Sequence, residues 1–405
     1  MIKTVKAPHI LLPKKGVDMG KYAVIACDQY TSNLEYWDSL QAEIGDSVST
    51  FHMIYPEAYL ENTDGESYIK GINNNIARYL KNNDLVDIGE CFILVERVTS
   101  YGVRRLGLVL AIDLEDYSYE KGTKALIRAS EATIVERIPP RLKIRKDAPI
   151  ELPHVLVLFD DPLKTIVEPL YKARENLEKV YDFEMNKNGG HIRGYKVKNT
   201  NEIITKFNEL FVRNNNGLLF IVGDGNHSLA TAKAHWDIVK KDLSEKERES
   251  HPARFALVEA NNLYDEGIIF EPIHRVLFNI DNSFINELRK HVEGERQSFV
   301  YSNRVGKEVL MMPKNAPMAY LQVQTFLDEY LSKHPEVKID FIHDEDELIA
   351  VADKNEKSIA IAMPALTKED LFDYLAKGRV LPRKSFSMGH ANEKRYYLEA
   401  KRIIN

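Results

Sequence analysis

The amino-acid sequence predicts an α/β or α+β fold around a mixed β-sheet. Short apolar runs of strand length recur along the 405-residue chain, and patterns of helical spacing lie between them. Most of these runs lack an alternation of inward and outward residues, which indicates strands that are covered on both faces. The predicted strands span residues 22–26, 91–95, 103–112, 155–159, 218–222, 255–258 and 358–362.

The predicted helices are marked by apolar spacing and by signals at their ends. An apolar stripe at helical spacing covers residues 203–211. Thr367 followed by Asp370 is typical of a helix start, and Gly378 is typical of a helix stop. The stretch 184–194 is rich in Asn and Gly, so it predicts an exposed loop.

The chain is too long for one ordinary core, which favours two or three domains or one core with large insertions. Of its residues, 44% are apolar and 29% are charged, as in a globular protein with a sizeable interior. We divide the chain into an N-terminal α/β part at 1–125, a central core at 126–280 and a C-terminal α/β part at 281–405. The last part is not expected to fold alone.

The cysteine content and the apolar runs favour a soluble, cytoplasmic protein. Cys27 and Cys91 are the only cysteines, too few for a secreted fold held by disulfides. Residues 1–17 carry lysines and no continuous apolar stretch, so no signal peptide is expected. The longest apolar runs are too short to cross a bilayer, and we expect no membrane partner.

The charge balance bears on the class of partner. A net charge of −6 and a pI of about 6.1 oppose a general nucleic-acid binder, which normally carries a basic surplus. We therefore expect a small-molecule substrate and no nucleic-acid partner. A homodimer is left open.

One segment carries the best signal for chemistry. The apolar run 218–222 is followed by Gly223, Asp224 and Gly225, and then by an Ala-rich helical pattern at 229–234. Gly225 lets the backbone turn sharply and approach a ligand closely. The helix start points N–H groups and a partial positive charge outward, which suits a phosphate.

The side chains of this turn add donors and a carboxylate. His227 and Ser228 fall in the first helical turn as donors, while Asp224, at the carboxyl end of the strand, is suited to bind a metal or accept a proton. The alternative is structural, with Asn226 or Asp224 acting only as a helix cap. The segment is neither a G-x-x-x-x-G-K-[ST] loop nor a G-x-G-x-x-G fingerprint.

Four ordered motifs resemble one protein family. Residues 224–228 are similar to D-G-H-H-R, 128–133 to R-x-H-E-x-T, 267–276 to L-x-x-x-P-T-H-R-V, and 381–385 to M-P-x-K-S. In this order they resemble the domain-of-unknown-function family 1015, and the resemblance spans most of the chain.

The D-G-H-H-R motif is also similar to one in the ParB/sulfiredoxin-like fold, whose members bind nucleotides and in some cases phosphorylate free serine. This resemblance implies a core of that fold with additional N- and C-terminal α/β parts. It implies an ATP- or ADP-dependent kinase that uses Mg²⁺ and acts on a small hydroxyl compound such as L-serine. Here Asn226 replaces the first His and Ser228 replaces the Arg, which would grip phosphate oxygens. The alternative is therefore a nucleotide-binding regulatory protein without turnover.

The resemblance also implies roles for individual residues. Glu131 is the base that takes the proton of the acceptor hydroxyl, Asp224 holds Mg²⁺, and His227 is a third catalytic residue. The residues implied in nucleotide binding are Gly225, Asn226, Ser228, Arg128, His274, Arg275, Arg383, Lys384 and Ser385. The alternative for Glu131 is a surface helix residue that pairs with Arg128 at i, i+3, and for the basic residues it is ordinary surface charge.

Two further observations concern an acidic residue and the histidines. Asp28 follows the first predicted strand, at an edge where ligands gather in α/β proteins. Because a helical pattern begins near Leu34, we expect Asp28 to be a turn residue or a helix cap.

His227 and His235 would lie about two turns apart on one helix, too far for one metal ion.

Overall fold

The computed structural model describes residues 2–61 and 63–404. The chain forms two compact units. The first unit comprises Met1–Ala129, Thr133–Ile268 and His390–Asn405, and the second comprises Ser130–Ala132 and Ile269–Gly389. The division at residues 125 and 280 stays a prediction.

The first unit carries most of the strands. Up to residue 268 they are β1 (Val5–Lys6), β2 (His9–Pro13), β3 (Val24–Ile25), β4 (Leu85–Glu90), β5 (Phe92–Val98), β6 (Arg104–Asp113), β7 (Tyr117–Ser118), β8 (Ile127–Ala129), β9 (Ile150–Glu151), β10 (Leu156–Phe159), β11 (Glu178–Met185), β12 (Gly190–Val197), β13 (Phe220–Asp224) and β14 (Phe255–Asn262). The helices are α1 (Met19–Tyr22), α2 (Leu34–Ile44), α3 (Gly65–Lys81), α4 (Ile138–Lys146), α5 (Val167–Lys172), α6 (Thr200–Asn214), α7 (Asn226–Val239) and α8 (Glu245–Ser250). Short 3-10 helices lie at Thr50–Met53, Glu57–Tyr59, Leu114–Asp116, Val135–Arg137, Arg174–Asn176, Lys240–Asp242 and Pro252–Arg254.

A mixed sheet forms the centre of the first unit and confirms the predicted α/β fold with a mixed sheet. Its strand order is β11-β12-β5-β6-β14-β10-β13-β8-β7, and β1 also pairs with β6. The pairs β10–β14, β8–β13 and β7–β8 are parallel, and the other pairs of this sheet are antiparallel. The specific likeness to the ParB/sulfiredoxin-like fold stays a prediction.

The central strands are covered on both faces, as their lack of alternation predicts. In β5, Ile93 and Val95 pack in one apolar cluster with Trp37, whereas Phe92 packs in another cluster with Trp236. Successive side chains of a strand point to opposite faces, so two apolar layers require a continuously apolar strand.

The prediction of an exposed loop at 184–194 is wrong. This segment belongs to the antiparallel hairpin of β11 and β12, and β12 also pairs with β5. Its Asn and Gly residues mark only the short turn between Met185 and Gly190, where Gly190 has φ +83°. The pairing on both sides of β12 supplies hydrogen-bond partners that local composition does not reveal.

Several local signals are confirmed. The stripe at 203–211 lies on α6, and the predicted strand at 218–222 is β13, shifted by two residues at each end to Phe220–Asp224. Thr367 caps the helix that begins at Lys368 by accepting from the backbone N–H of Asp370. Gly378 has φ +73°, as a residue just past a helix end requires.

The second unit has its own sheet and helices. Its strands are β15 (Phe270–Pro272), β16 (His274–Phe278), β17 (Arg296–Ser302), β18 (Gly306–Met312), β19 (Lys338–Ile342), β20 (Ser358–Ile361) and β21 (Phe386–Met388). Its helices are α9 (Ser283–His291), α10 (Ala316–Lys333), α11 (Glu345–Asp353) and α12 (Lys368–Ala376). The antiparallel sheet has the order β18-β17-β20-β16-β19, and β15 pairs with β21.

The chain ends in the first unit. After the 3-10 helix Ala391–Glu393 come β22 (Tyr396–Tyr397), which pairs with β3, and β23 (Lys401–Arg402), which pairs with β9. Among the residues described, none of the helices has both the length and the apolar character that a membrane span needs.

Candidate functional site

The turn between β13 and α7 has the geometry of an open helix start. Gly225 is the N-cap of α7 with φ +82°, and Asp224 Oδ1 accepts the Gly225 N–H at 3.0 Å. The N-cap is therefore neither Asp224 nor Asn226, and Gly225 has no side chain that could accept from the first turn of α7. Asn226, His227 and Ser228 are half-buried. The start of α7 carries the partial positive charge that backbone N–H groups give to every helix N-terminus.

The turn packs against a segment that carries a histidine. A Cβ atom at Gly225 would lie 3.1 Å from the Cα of Val155 and 3.5 Å from Cδ2 of His154. His154 Nε2 lies 3.5 Å from Asp28 Oδ2, and His154 Nδ1 lies 2.8 Å from the hydroxyl of Tyr397. The imidazole is thus held on both nitrogens beside the start of α7.

The electrostatics favour a charged His154–Asp28 pair. Burial alone would lower the pKa of His154, but the charge and hydrogen bond of Asp28 and the charges of Asp224 and Glu57 raise it overall. Burial alone would raise the pKa of Asp28, but the charge and hydrogen bond of His154 outweigh it and hold that pKa well below its ordinary value. Both shifts favour an imidazolium beside a carboxylate.

Lys394 brings a second cation to the turn. Its Nζ lies 3.4 Å from Asp224 Oδ2, and only 12% of its side chain is exposed. This cation comes from the last part of the chain, far in sequence from Asp224. Lys394 belongs to none of the four motifs.

Glu57 and Arg141 form another ion pair in the same region. The guanidinium of Arg141 donates to Glu57 Oε1, and the Glu57 N–H donates to the carbonyl of Cys27 at 2.8 Å. Burial raises the pKa of Glu57, the charge of Arg141 opposes this, and the charge of Asp28 adds to it. The charges of Glu57, Asp28 and His154 shift one another's pKa values, so these three residues belong to one charged cluster.

The thiol of Cys27 is a structural neighbour of this cluster. The Tyr397 hydroxyl donates to Cys27 Sγ at 3.1 Å. Burial, with the nearby charge of Asp28, raises the pKa of Cys27 to about 12. The thiol therefore stays protonated at neutral pH, and a thiolate nucleophile is not formed here.

His227 is held by the backbone. Its Nε2 accepts the N–H of Ile134 at 3.2 Å, so the neutral ring carries its proton on Nδ1. Its carbonyl accepts the hydroxyl of Thr231 at 2.7 Å. A catalytic role for His227 stays a prediction. Such a role would use Nδ1, because Nε2 accepts the N–H of Ile134.

Glu131 lies in the second unit and anchors a loop there. Its Oε2 accepts the Lys384 N–H and its Oε1 accepts the Ser385 N–H, each at 3.0 Å. The Leu381 N–H donates to the carbonyl of Ser130 at 2.9 Å, which fixes the same loop. Burial raises the pKa of Glu131, and the amide donors oppose this shift. The R-x-H-E-x-T and M-P-x-K-S elements thus meet through Glu131.

The basic residues of the second unit differ in exposure. Arg383 and Lys384 are exposed, and Lys384 has φ +58°. Arg275 is buried, donates to the carbonyl of Ile273 and to Gln324 Oε1, and burial lowers its pKa to about 10. The charge of Glu131 acts on Arg275 to raise that pKa, so the two groups share one environment.

His274 and Arg128 have structural partners. His274 is buried, its Nδ1 accepts the N–H of Met363 at 2.9 Å, and burial lowers its pKa. Arg128, in the first unit, donates to the carbonyls of Ala125 at 2.8 Å and Gly217 at 3.2 Å. Because residues 127–129 form strand β8, the helical spacing assumed for a pair between Arg128 and Glu131 is not present.

The expectation that Asp28 caps a helix is wrong, whereas the alternative that it lies in a turn is confirmed. Helix α2 begins at Leu34, and its N-cap is Asn33, whose Oδ1 accepts the Tyr36 N–H at 3.0 Å. The local signal favoured Asp28 because it precedes a helical pattern, but Asn33 stands directly before the first helical residue. Asp28 is thereby left to pair with His154.

A metal site made by the protein alone is not found in the part of the chain that the structure covers. Within residues 2–61 and 63–404, no group of three or more His, Cys, Asp or Glu side chains is arranged to hold a metal ion. Asp224 remains a single carboxylate next to Lys394. A Mg²⁺ ion bound mainly by nucleotide phosphates needs only one or two carboxylates, so Asp224 fits that more limited role.

Together, fold and site define an α/β protein with a mixed sheet and a charged cluster at the start of a helix. The sequence matches the family described as "Protein of unknown function (DUF1015)" over residues 11–402, and the chain belongs to that family. This confirms the resemblance to that family, while the correspondence of the four individual motifs stays a prediction. A comparison with curated proteins gives no match.

Solved structures show distant likeness. A conserved hypothetical protein from Pyrococcus furiosus is 12% identical with a TM-score of 0.35, covering 72% of this chain and 90% of its own. A free serine kinase in complex with AMP is 10% identical with a TM-score of 0.37, covering 72% and 87%. SbnI with a C-terminal truncation, from Staphylococcus aureus, is 9% identical with a TM-score of 0.37, covering 69% and 81%. At these scores none of them assigns an activity to this chain.

Proposed function

We propose that the chain is a nucleotide-dependent phosphotransferase that transfers a phosphoryl group from ATP or ADP to a small hydroxyl compound. The observation that carries the proposal is the meeting of a helix start that has glycine at its N-cap with two cations and two carboxylates in the first unit. Phosphoryl transfer asks mainly for positioning and for stabilisation of charge, and this combination supplies both.

The nucleotide phosphates bind at the first turn of α7. The left-handed conformation of Gly225 brings the backbone close to a ligand, and the helix start attracts negative charge. Because β13 ends at Asp224, the bound phosphates lie at the carboxyl edge of a strand, where ligands of α/β proteins gather.

Lys394 and His154 offset the negative charge that develops on the transferred group. Lys394 serves as a compact point charge in place of the Arg of the related motif. Asp28 and the other carboxylates near His154 raise its pKa and so favour its protonated form. Lys394 lies at Asp224 and His154 lies beside Gly225, so both cations are close to the turn residues that the sequence marked.

Two carboxylates are candidates for the base. Glu131 is the one that the resemblance implies, and burial raises its pKa, which makes it a stronger base than an exposed carboxylate. Asp28 is the second candidate, because it shares the charged cluster at the start of α7. Its low pKa makes it better suited to orient the acceptor hydroxyl than to take the proton.

Mg²⁺ would enter with the nucleotide. Asp224 is the residue that would hold it together with the phosphates, and the ion would neutralise part of the phosphate charge. Lys394 would then turn from Asp224 toward a phosphate oxygen.

Isothermal titration calorimetry with ATP and ADP, with and without Mg²⁺, tests the binding step. Mass spectrometry of mixtures with L-serine and other small hydroxyl compounds tests transfer. The expected result is nucleotide binding together with a phosphorylated acceptor. Absence of binding for both nucleotides, with a correctly folded protein, contradicts the proposal.

The second candidate is a nucleotide-binding regulatory protein without turnover. The observation that favours it is Ser228, which lacks the two-pronged phosphate grip of an Arg. Nucleotide that binds but is never consumed, with any acceptor offered, supports this alternative over the kinase.

A further inference from the structure

The C-terminal segment, defined here as residues 390–403, brings two groups to the charged cluster. Lys394 Nζ lies 3.4 Å from Asp224 Oδ2, and the Tyr397 hydroxyl lies 2.8 Å from His154 Nδ1. Tyr396 and Tyr397 pair with β3, which ends two residues before Cys27. The geometry of the cluster therefore depends on where this segment lies.

A buried arginine holds the backbone of the segment at its start. Arg97, on β5, is 2% exposed. It donates to the carbonyls of Asn392 at 2.7 Å, Glu393 at 2.9 Å and Lys394 at 2.6 Å. It also donates to the carbonyl of Gly189 at 2.9 Å, which ties the segment to the turn of the β11–β12 hairpin. The planar guanidinium is the side chain whose donors reach several carbonyls at once.

Arg395 holds the segment on the side of His154. It donates to Glu259 Oε2 at 2.8 Å and to Glu399 Oε2 at 2.6 Å. It also donates to the carbonyl of Pro153, the residue before His154, at 2.8 Å. The residue that follows Lys394 is thus fixed to the same segment that carries His154.

We infer that Arg97 is a positioning residue, which holds the backbone at Asn392–Lys394 so that the Lys394 ammonium stays at Asp224, beside the start of α7. The inference rests on the proposed function for its catalytic meaning, since Lys394 is assigned there to the phosphates. The placement of Lys394 itself is a property of the protein without nucleotide and can be measured separately.

The test uses the full chain with Arg97→Gln and measures the acetylation rate of individual lysines by mass spectrometry. The expected result is a several-fold faster acetylation of Lys394 with no change at Lys401. Lys401 is the internal reference, because it is buried in the same segment but its Nζ donates to the carbonyl of Pro252 instead. Arg104→Gln, an exposed arginine on the neighbouring strand, is the matched control and should leave both rates unchanged.

Two results would overturn the inference. One is an unchanged rate at Lys394 in the folded Arg97→Gln protein. The other is a parallel rise at Lys394 and Lys401, which would mean that Arg97 only supports the fold. Should Arg97→Gln fail to fold, Arg97→Lys keeps the charge but reaches fewer carbonyls, and Lys394 should still be acetylated faster than in the unaltered protein. A Lys394 rate in Arg97→Lys equal to that of the unaltered protein would also overturn the inference.

Binding measurements connect the placement of Lys394 with the proposed function. If the chain binds nucleotide, Arg97→Gln should weaken ADP binding while adenosine, which has no phosphate, binds as before. If no nucleotide binds to the unaltered protein, the proposed function fails, while the acetylation rates still decide whether Arg97 positions Lys394.

Discussion

Asp28 Oδ2 lies 3.5 Å from Nε2 of His154, and neither residue belongs to the motif that begins helix α7. The second ring nitrogen of His154 contacts the hydroxyl of Tyr397 at 2.8 Å. A histidine with a partner on each nitrogen, next to a helix start, is fixed in orientation and in charge. This relationship makes the first unit the place to test for phosphate chemistry.

The first prediction concerns the charge of His154. Asp28→Asn should lower the pKa of His154, because the carboxylate that stabilises the imidazolium is removed. The chemical shift of the His154 ring protons during an NMR titration measures this change. Asp87→Asn is the matched control, since Asp87 pairs with the exposed His9 at 3.1 Å and its removal should leave the pKa of His154 unchanged.

The same pair predicts how stability depends on pH. The folded pKa of His154 is raised, so its contribution is complete below about 6.5 and is lost as pH rises through the folded value. The folded pKa of Asp28 is lowered, so its contribution is present above about 3.9 and is lost as pH falls through the folded value. Urea unfolding should therefore find Asp28→Asn most destabilising in a window of about pH 4 to 6.5. An equal loss of stability at pH 5.5 and 8.5 would contradict the ion pair.

The next prediction concerns Lys394 and the phosphates. Lys394→Met should weaken ADP binding by roughly 10- to 100-fold, because a hydrogen bond to a charged group contributes about 1.5–3 kcal/mol. Adenosine binding should stay the same. Lys233→Met is the control, since Lys233 lies on α7 but pairs with Asp237 at 2.9 Å. Calorimetry measures the affinity of each variant and of the unaltered protein for ADP and for adenosine. Equal losses of affinity for the two ligands in Lys394→Met would argue against a phosphate contact.

Gly225→Ala tests the close approach at the turn. The new Cβ would meet the backbone of Val155 at 3.1 Å, in addition to the cost of a positive φ. Gly217→Ala is the matched control, because Gly217 has φ +69° but no atom within 4 Å of the added Cβ. Each change should cost about 1–2 kcal/mol for the left-handed backbone, with a larger loss at Gly225. Urea unfolding measures the difference, and equal losses would show that the packing at Gly225 is loose.

The sequence predicted the elements that local pattern determines. β13, the Ala-rich helix α7 and the stripe on α6 follow from runs and spacings within one short segment. The end signals at Thr367 and Gly378 are also local, since a cap and a left-handed residue act on adjacent backbone groups.

The partners at the site could not be predicted in the same way. Asp28, His154, Lys394 and Tyr397 come from distant segments that the sheet and the C-terminal segment bring together. None of these four residues lies in one of the four motifs, and contacts between distant segments leave no periodic pattern in the sequence. For Asp28 the local signal was misleading, because a carboxylate before a helix has the same sequence pattern whether it caps the helix or pairs elsewhere.

The last prediction separates two roles of Glu131. The Glu131 carboxylate accepts hydrogen bonds from the backbone N–H groups of Lys384 and Ser385. In Glu131→Gln, an amide NH₂ group would face one of these two donors. One donor is then left unsatisfied, which should lower the free energy of unfolding by about 1–3 kcal/mol. Glu369→Gln, at an exposed carboxylate on α12, should have no such effect. If Glu131 is also the base, turnover should fall further than a loss of stability explains, with the affinity for ADP unchanged. If turnover persists in Glu131→Gln but is lost in Asp28→Asn, the base belongs to the first unit and Glu131 is only an anchor for the loop at 381–385.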